Sequence, residues 1–144
     1  MQTKNLPAEA PSIMDRAKCE EARGAFHQAI ALYDLVLADA PQNPFALARR
    51  AYAKLCAQQY LEAIADFDAS LSQYPNAPVT LMYRAEAKEH LGNLQGALSD
   101  YGASVAITPD SDVFAAMGLI HEYLGERPKA VGAYRRALEL NANN

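Results

Sequence analysis

The sequence predicts an all-α fold: a right-handed α-solenoid of antiparallel helix pairs, with about eight helices in four units. Three observations predict it. The 144 residues nearly repeat themselves at a spacing of 34, and such self-similarity is the mark of stacked supersecondary units. Within each unit, apolar residues recur at i, i+3, i+4 and i+7, the period of a helix buried on one face. The composition is 51% hydrophobic, with alanine dominant and Val and Ile sparse. Alanine loses no side-chain entropy in a helix, so this mixture favours helices over strands.

Four segments superpose without gaps: GAFHQAIALYDLVLADAP from Gly24, QQYLEAIADFDASLSQYP from Gln58, GNLQGALSDYGASVAITP from Gly92 and GERPKAVGAYRRALELNA from Gly125. Ala29, Ala63, Ala97 and Ala130 coincide. Tyr33, Phe67, Tyr101 and Tyr134 follow one helical turn later, then the small Val36, Ser70, Ser104 and Ala137. Pro41, Pro75 and Pro109 close the first three units, where the ring stops the helix before it. The upstream halves align as well, with Ala17, Ala51, Ala85 and Gly118 in one register and Ile13, Leu47, Leu81 and Phe114 in another.

Helices are therefore expected over 11–23, 26–39, 45–57, 60–73, 79–91, 94–106, 112–124 and 127–140. Pro44 and Pro78 suit the first helical position, where the missing N–H costs nothing. The third linker, TPDSD, is one residue shorter, and Ser111 or Asp112 is the expected cap after it. Gly24, Gly92 and Gly125 sit in the turn inside a unit, where a left-handed residue is expected; Gln58 takes that place in the second unit. Gly96 and Gly102 fall inside a helix at outward positions and should weaken it. Residues 1–9 precede the repeats and read as a flexible segment, leaving 10–144 as one domain with units 10–43, 44–77, 78–110 and 111–144.

These residues resemble the tetratricopeptide repeat (TPR) family. Its 34-residue helix pair has a small residue eighth, glycine near fifteenth, alanine twentieth, an aromatic twenty-fourth, a small residue twenty-seventh and proline thirty-second. Counted from Ala10, Pro44, Pro78 and Ser111, the chain fills most of those places four times. It departs from the family in having Ile13, Leu47, Leu81 and Phe114 fourth, no tryptophan, and Glu20, Lys54, Lys88 and His121 eleventh. Many members of the family end in an extra helix. Here NANN directly follows the fourth unit.

Chemistry is hard to find. The formal net charge is −4 and no run of Lys or Arg exceeds two, which discourages nucleic acid and anionic membranes as partners. No apolar run approaches a membrane span. No GK[ST] or GxSxG occurs, and Gly92 and Gly96 follow a helix rather than a strand. His121-Glu122 lacks the second histidine of a zinc protease, so neither metal nor cofactor is expected. Cys19 and Cys56 make no disulfide framework and read as small core residues. Acidic pairs such as Glu20-Glu21 and Asp66-Asp68 read as solvated faces. No leader is visible, and a cytoplasmic, non-enzymatic protein is expected.

The resemblance implies that the first helix of each unit lines a concave groove. Carried onto this chain, it places Met14 and Lys18, then Phe45, Arg49 and Tyr52, then Met82, Tyr83 and Glu86, then Leu119 and Tyr123 in that groove. Aromatics and arginine are the usual anchors of protein interfaces. Basic residues stand early and acids late, which suits a peptide of the opposite polarity. The asparagines and most of the lysines of a chaperone-binding carboxylate clamp are missing. The expected partner is a protein or peptide segment. A structural subunit forming a homodimer through the C-terminal repeat is the alternative.

Overall fold

The computed structural model describes residues 11–144, so the expected flexible segment 1–9 lies outside the described residues. Eight helices follow in order: α1 (Ile13–Ala22), α2 (Phe26–Asp39), α3 (Pro44–Cys56), α4 (Tyr60–Gln73), α5 (Pro78–His90), α6 (Leu94–Ile107), α7 (Ser111–Tyr123) and α8 (Arg127–Ala142). No strand occurs among the described residues. Each helix packs mainly on its neighbours in the chain, giving an α-solenoid of helix pairs.

Within every pair the first helix ends in the same hydrogen-bonded turn. Gly24 N–H donates to Glu21 and Ala25 N–H to Glu20, and the same two bonds recur at Gln58, Gly92 and Gly125. This pattern needs a left-handed residue. The three glycines adopt it at φ 76–80°, and Gln58 adopts it at φ 63° despite its Cβ. Asn43 and Asn93 cap α3 and α6 with their side-chain oxygens. The α7 cap is Asp110, whose carboxylate accepts from Asp112 and Val113 N–H, rather than Ser111 or Asp112. The shortened linker starts that helix one residue early.

The core is a chain of small clusters rather than one mass. Tyr33, Ala17 and Ala29 meet Ala53 of the next pair. Phe67, Ala51, Leu55 and Ala63 meet Ala87. Tyr101, Ala85 and Ala97 meet Val113 and Ile120. Alanines at the crossings are fully buried and let the helices approach closely. Gly118 does the same job more severely: a Cβ there would stand 2.6 Å from the Tyr134 ring.

Polar order runs alongside the apolar clusters. Arg50 binds Asp66 of its own pair through Nε and Nη2 (2.7 and 2.8 Å) and Asp34 of the preceding pair through Nη1 (2.9 Å). Arg84 repeats this with Asp100 and Asp68. Lys54 and Lys88 add 2.9 and 2.8 Å contacts to Asp66 and Asp100. Asp66 is thus buried and paired, not solvated as expected. The lysines at the eleventh place, a departure from the TPR pattern, serve this network. The register fails in the last pair, where Met117 stands for the arginine and Ala133 for the buried aspartate. Among the described residues no ion pair crosses from α6 to α7.

Candidate binding face

The first helices α1, α3, α5 and α7 present a row of hollows. Met14, Lys18, Phe45, Ala48 and Arg49 line one of about 340 Å³. Arg49, Tyr52 and Tyr83 line the next, also about 340 Å³, with Glu21, Ala48, Phe67, Val79 and Thr80. Leu119 and Tyr123 line a third of about 410 Å³, with Glu89, Gly92, Leu94 and Ile120. Eight of the ten residues expected in the groove thus line one of these three hollows.

Met82 and Glu86 do not line them. Met82 packs against the Ala85, Tyr101 and Val113 cluster and lines a separate crevice with Ser104 and Thr108. Glu86 sits half-exposed, 4.0 Å from His90. Burial raises its carboxyl above the usual range, and His90 offsets this only in part.

The centre of the face is aromatic. Tyr52 and Tyr83 lie 4.7 Å apart, Phe26 meets Tyr52 edge-on at 6.5 Å, and Tyr60 stacks on His90 at 4.6 Å. A hydrogen bond with Cys56, reinforced by burial, pushes Tyr52 up to about 12. Burial also pushes the Cys56 thiol up. Both groups stay neutral at physiological pH and present an apolar, hydrogen-bonding surface.

Three glutamates at the ends of first helices are engaged, Glu21 among them, which was expected to be solvated. Tyr33, Tyr101 and Tyr134 donate to Glu21, Glu89 and Glu122 at 2.7, 2.9 and 2.9 Å. In the second pair the same two places hold Phe67 and Leu55, an apolar couple in one cluster. The Glu21 side chain is therefore largely covered rather than solvated. Burial and the Glu21 carboxylate together push Tyr33 up to about 12. The sequence carried this signal: tyrosine accompanies glutamate three times, and where phenylalanine appears the glutamate disappears.

Arg49 joins the first two hollows. Its Nε is buried 3.5 Å from Glu21 Oε2 without hydrogen-bonding geometry, while the side chain stays 43% exposed. The guanidinium is thus only loosely held and open to the face. Thr80, Leu94 and Ile120 were not anticipated as lining residues; Thr80 and Ile120 lie on α5 and α7 themselves, and Leu94 begins α6. Cys19 is exposed and Cys56 half-buried, so neither belongs to the core as expected. No group of three His, Cys, Asp or Glu among the described residues is arranged to hold a metal, and no described helix is long and apolar enough to cross a membrane.

No family model matches the sequence, and no curated protein matches it. Solved structures do match in fold. "MamA 41-end from Desulfovibrio magneticus RS-1" superposes with a TM-score of 0.88 at 16% identity, over 92% of this chain and 75% of that one. "MamA MSR-1 C2" superposes at 0.82 with 19% identity, over 96% and 82%. A "Crystal structure of MamA protein" superposes at 0.84 with 21% identity, over 90% and 72%. The chain is similar to these in its helical-repeat architecture.

Proposed function

We propose that this chain is a non-catalytic interaction module of TPR type that takes up a peptide or protein segment along the face of its first helices. The observation that carries the reading is the row of hollows, the first two joined by Arg49, with Tyr52 and Tyr83 at the centre. Large aromatics bury area at little entropic cost, and an arginine that is not fully engaged within the protein is available to pair with a ligand, which is what interface anchors require. Lys18 and Arg49 at one end favour an acidic residue of the ligand near the first pair. Glu21, Glu89 and Glu122 are taken up by tyrosines, so ligand contacts at the far end fall mainly on Leu119 and Tyr123.

Panning a display library of short random peptides on the wild type and on the double variant Tyr83→Ala, Arg49→Glu tests this. Enriched peptides should bind the wild type and lose at least about tenfold in affinity on the variant, the cost of one or two anchors. Equal recovery by both proteins, with circular dichroism showing both folded, would sink the site. The alternative, a subunit that pairs through its last helix pair, draws on the exposed Leu138 and Val131. It is the weaker reading because Arg135 stands among them.

A further inference from the structure

The outer face of α8 carries the apolar pattern of the faces that receive a helix, with an arginine where α2 and α4 have an aspartate. Its counterparts are α2, α4 and α6, each of which receives the first helix of the next pair. On those helices the receiving residues are Ile30, Ile64 and Leu98, then Leu37, Leu71 and Val105 two turns on. Ile30 and Leu37 pack in clusters with Ala53, Ala46 and Leu47 of α3; Leu98 and Val105 pack with Val113 and Ile120 of α7. In α8 the matching residues are Val131 and Leu138. Leu37 and Leu71 are 6% and 7% exposed, whereas Leu138 is 69% and Val131 49% exposed. The apolar stripe is the same and its cover is missing among the described residues.

Between those two apolar places, α2 and α4 carry Asp34 and Asp68, which accept Arg50 and Arg84 of the arriving helix at 2.9 and 2.8 Å. The arriving helix brings small or apolar residues on either side of that arginine: Ala46 and Ala53 in α3, Thr80 and Ala87 in α5. At the matching place α8 has Arg135, which is exposed and makes no ion pair among the described residues. A second copy arriving by α1 would bring Ser12, Arg16 and Cys19 in that register, all exposed, and set Arg16 against Arg135. Two α8 helices packed antiparallel on this stripe would set Arg135 against Arg135. Like charges brought together in this way are destabilising.

We infer that the α8 face docks an amphipathic helix of another protein, with small or apolar residues at i and i+7 and a carboxylate at i+4 facing Arg135. The inference concerns a different surface from the row of hollows and does not depend on it.

Two lactam-bridged helical peptides test it, identical except for Glu or Arg at i+4 between leucines at i and i+7. Fluorescence anisotropy should show the Glu peptide binding the wild type roughly tenfold more tightly, the step from attraction to repulsion across one partly exposed pair. Arg135→Glu should reverse the preference, Leu138→Glu should remove binding of both, and Tyr83→Ala should leave the Glu peptide's affinity unchanged. Equal affinities of the two peptides on both proteins, or no saturable binding, would overturn the inference. So would a dimer in sedimentation that Leu138→Glu dissociates, because a second copy would then occupy the face.

Discussion

Arg84 grips Asp100 with two nitrogens, Nε on Oδ2 at 2.8 Å and Nη2 on Oδ1 at 2.7 Å. The carboxylate is buried, and Lys88 approaches it from the next turn. Asp100→Asn leaves Lys88 partly buried without its counter-charge and Arg84 with the exposed Asp68 alone, and should cost about 2–3 kcal/mol in urea denaturation. Asp34→Asn removes an exposed partner of Arg50 and should cost about 0–1 kcal/mol. Equal losses would show that burial does not set the value of these pairs.

The same carboxylate sets an acid response. Burial alone would raise Asp100, but the hydrogen bonds of Arg84 and Lys88 outweigh it and hold it below its ordinary value of 3.8. A depressed folded-state value means stability that is fully present above the unfolded value and lost as pH falls through the folded one. Glu86 has the opposite sign. Its raised value means the carboxylate form opposes folding once pH rises through that value, and Glu86→Gln should relieve a few tenths of a kcal/mol at pH 7. Urea midpoints of the wild type should drop between pH 5 and pH 3 more than those of Asp100→Asn.

The exchange of Tyr–Glu for Phe–Leu in the second pair predicts coupling. Phe67→Tyr alone buries a hydroxyl among apolar side chains and should cost about 1–3 kcal/mol. Leu55→Glu alone buries a charge and should cost more. Together they rebuild the bond seen between Tyr101 and Glu89, so the double variant should be more stable than Leu55→Glu alone. Strict additivity in a double-mutant cycle would refute the pairing.

Three glycines should answer alanine differently. A Cβ at Gly102 meets nothing within 4 Å, so Gly102→Ala should stabilise α6 by about 0.5–1 kcal/mol. At Gly96 it would meet the Asn93 side chain at 2.5 Å, the group that caps this helix, and the gain should vanish. Gly118→Ala would press on the Tyr134 ring and should cost about 1–3 kcal/mol. Thermal melts of the three variants rank these effects.

The repeat made the fold legible because it marks both periods at once, helix by helix and pair by pair. Starts and ends at Pro44, Pro78 and the turn glycines carried local chemistry, and the helix boundaries fall within a few residues of expectation. What local pattern could not show was pairing across helices. Asp66 and Asp68 look alike in sequence, yet one faces Arg50 inside the pair and the other faces Arg84 of the next. Met82 looked like its neighbour Tyr83, but the one-residue difference turns it toward α6 and α7. The α7 cap was displaced because a deletion in the linker shifts which side chain reaches the first free amides.

The arginine–aspartate bracing stops before α7. The first three helix pairs are cross-tied at each junction, whereas among the described residues no ion pair ties the fourth to them and it packs there through the apolar cluster of Tyr101 and Val113. Charged ties resist sliding because they have one geometry; oily surfaces tolerate several. Strain applied along the array therefore concentrates at one seam, and the last pair is the part that swings or peels away first while the rest moves as a single lever.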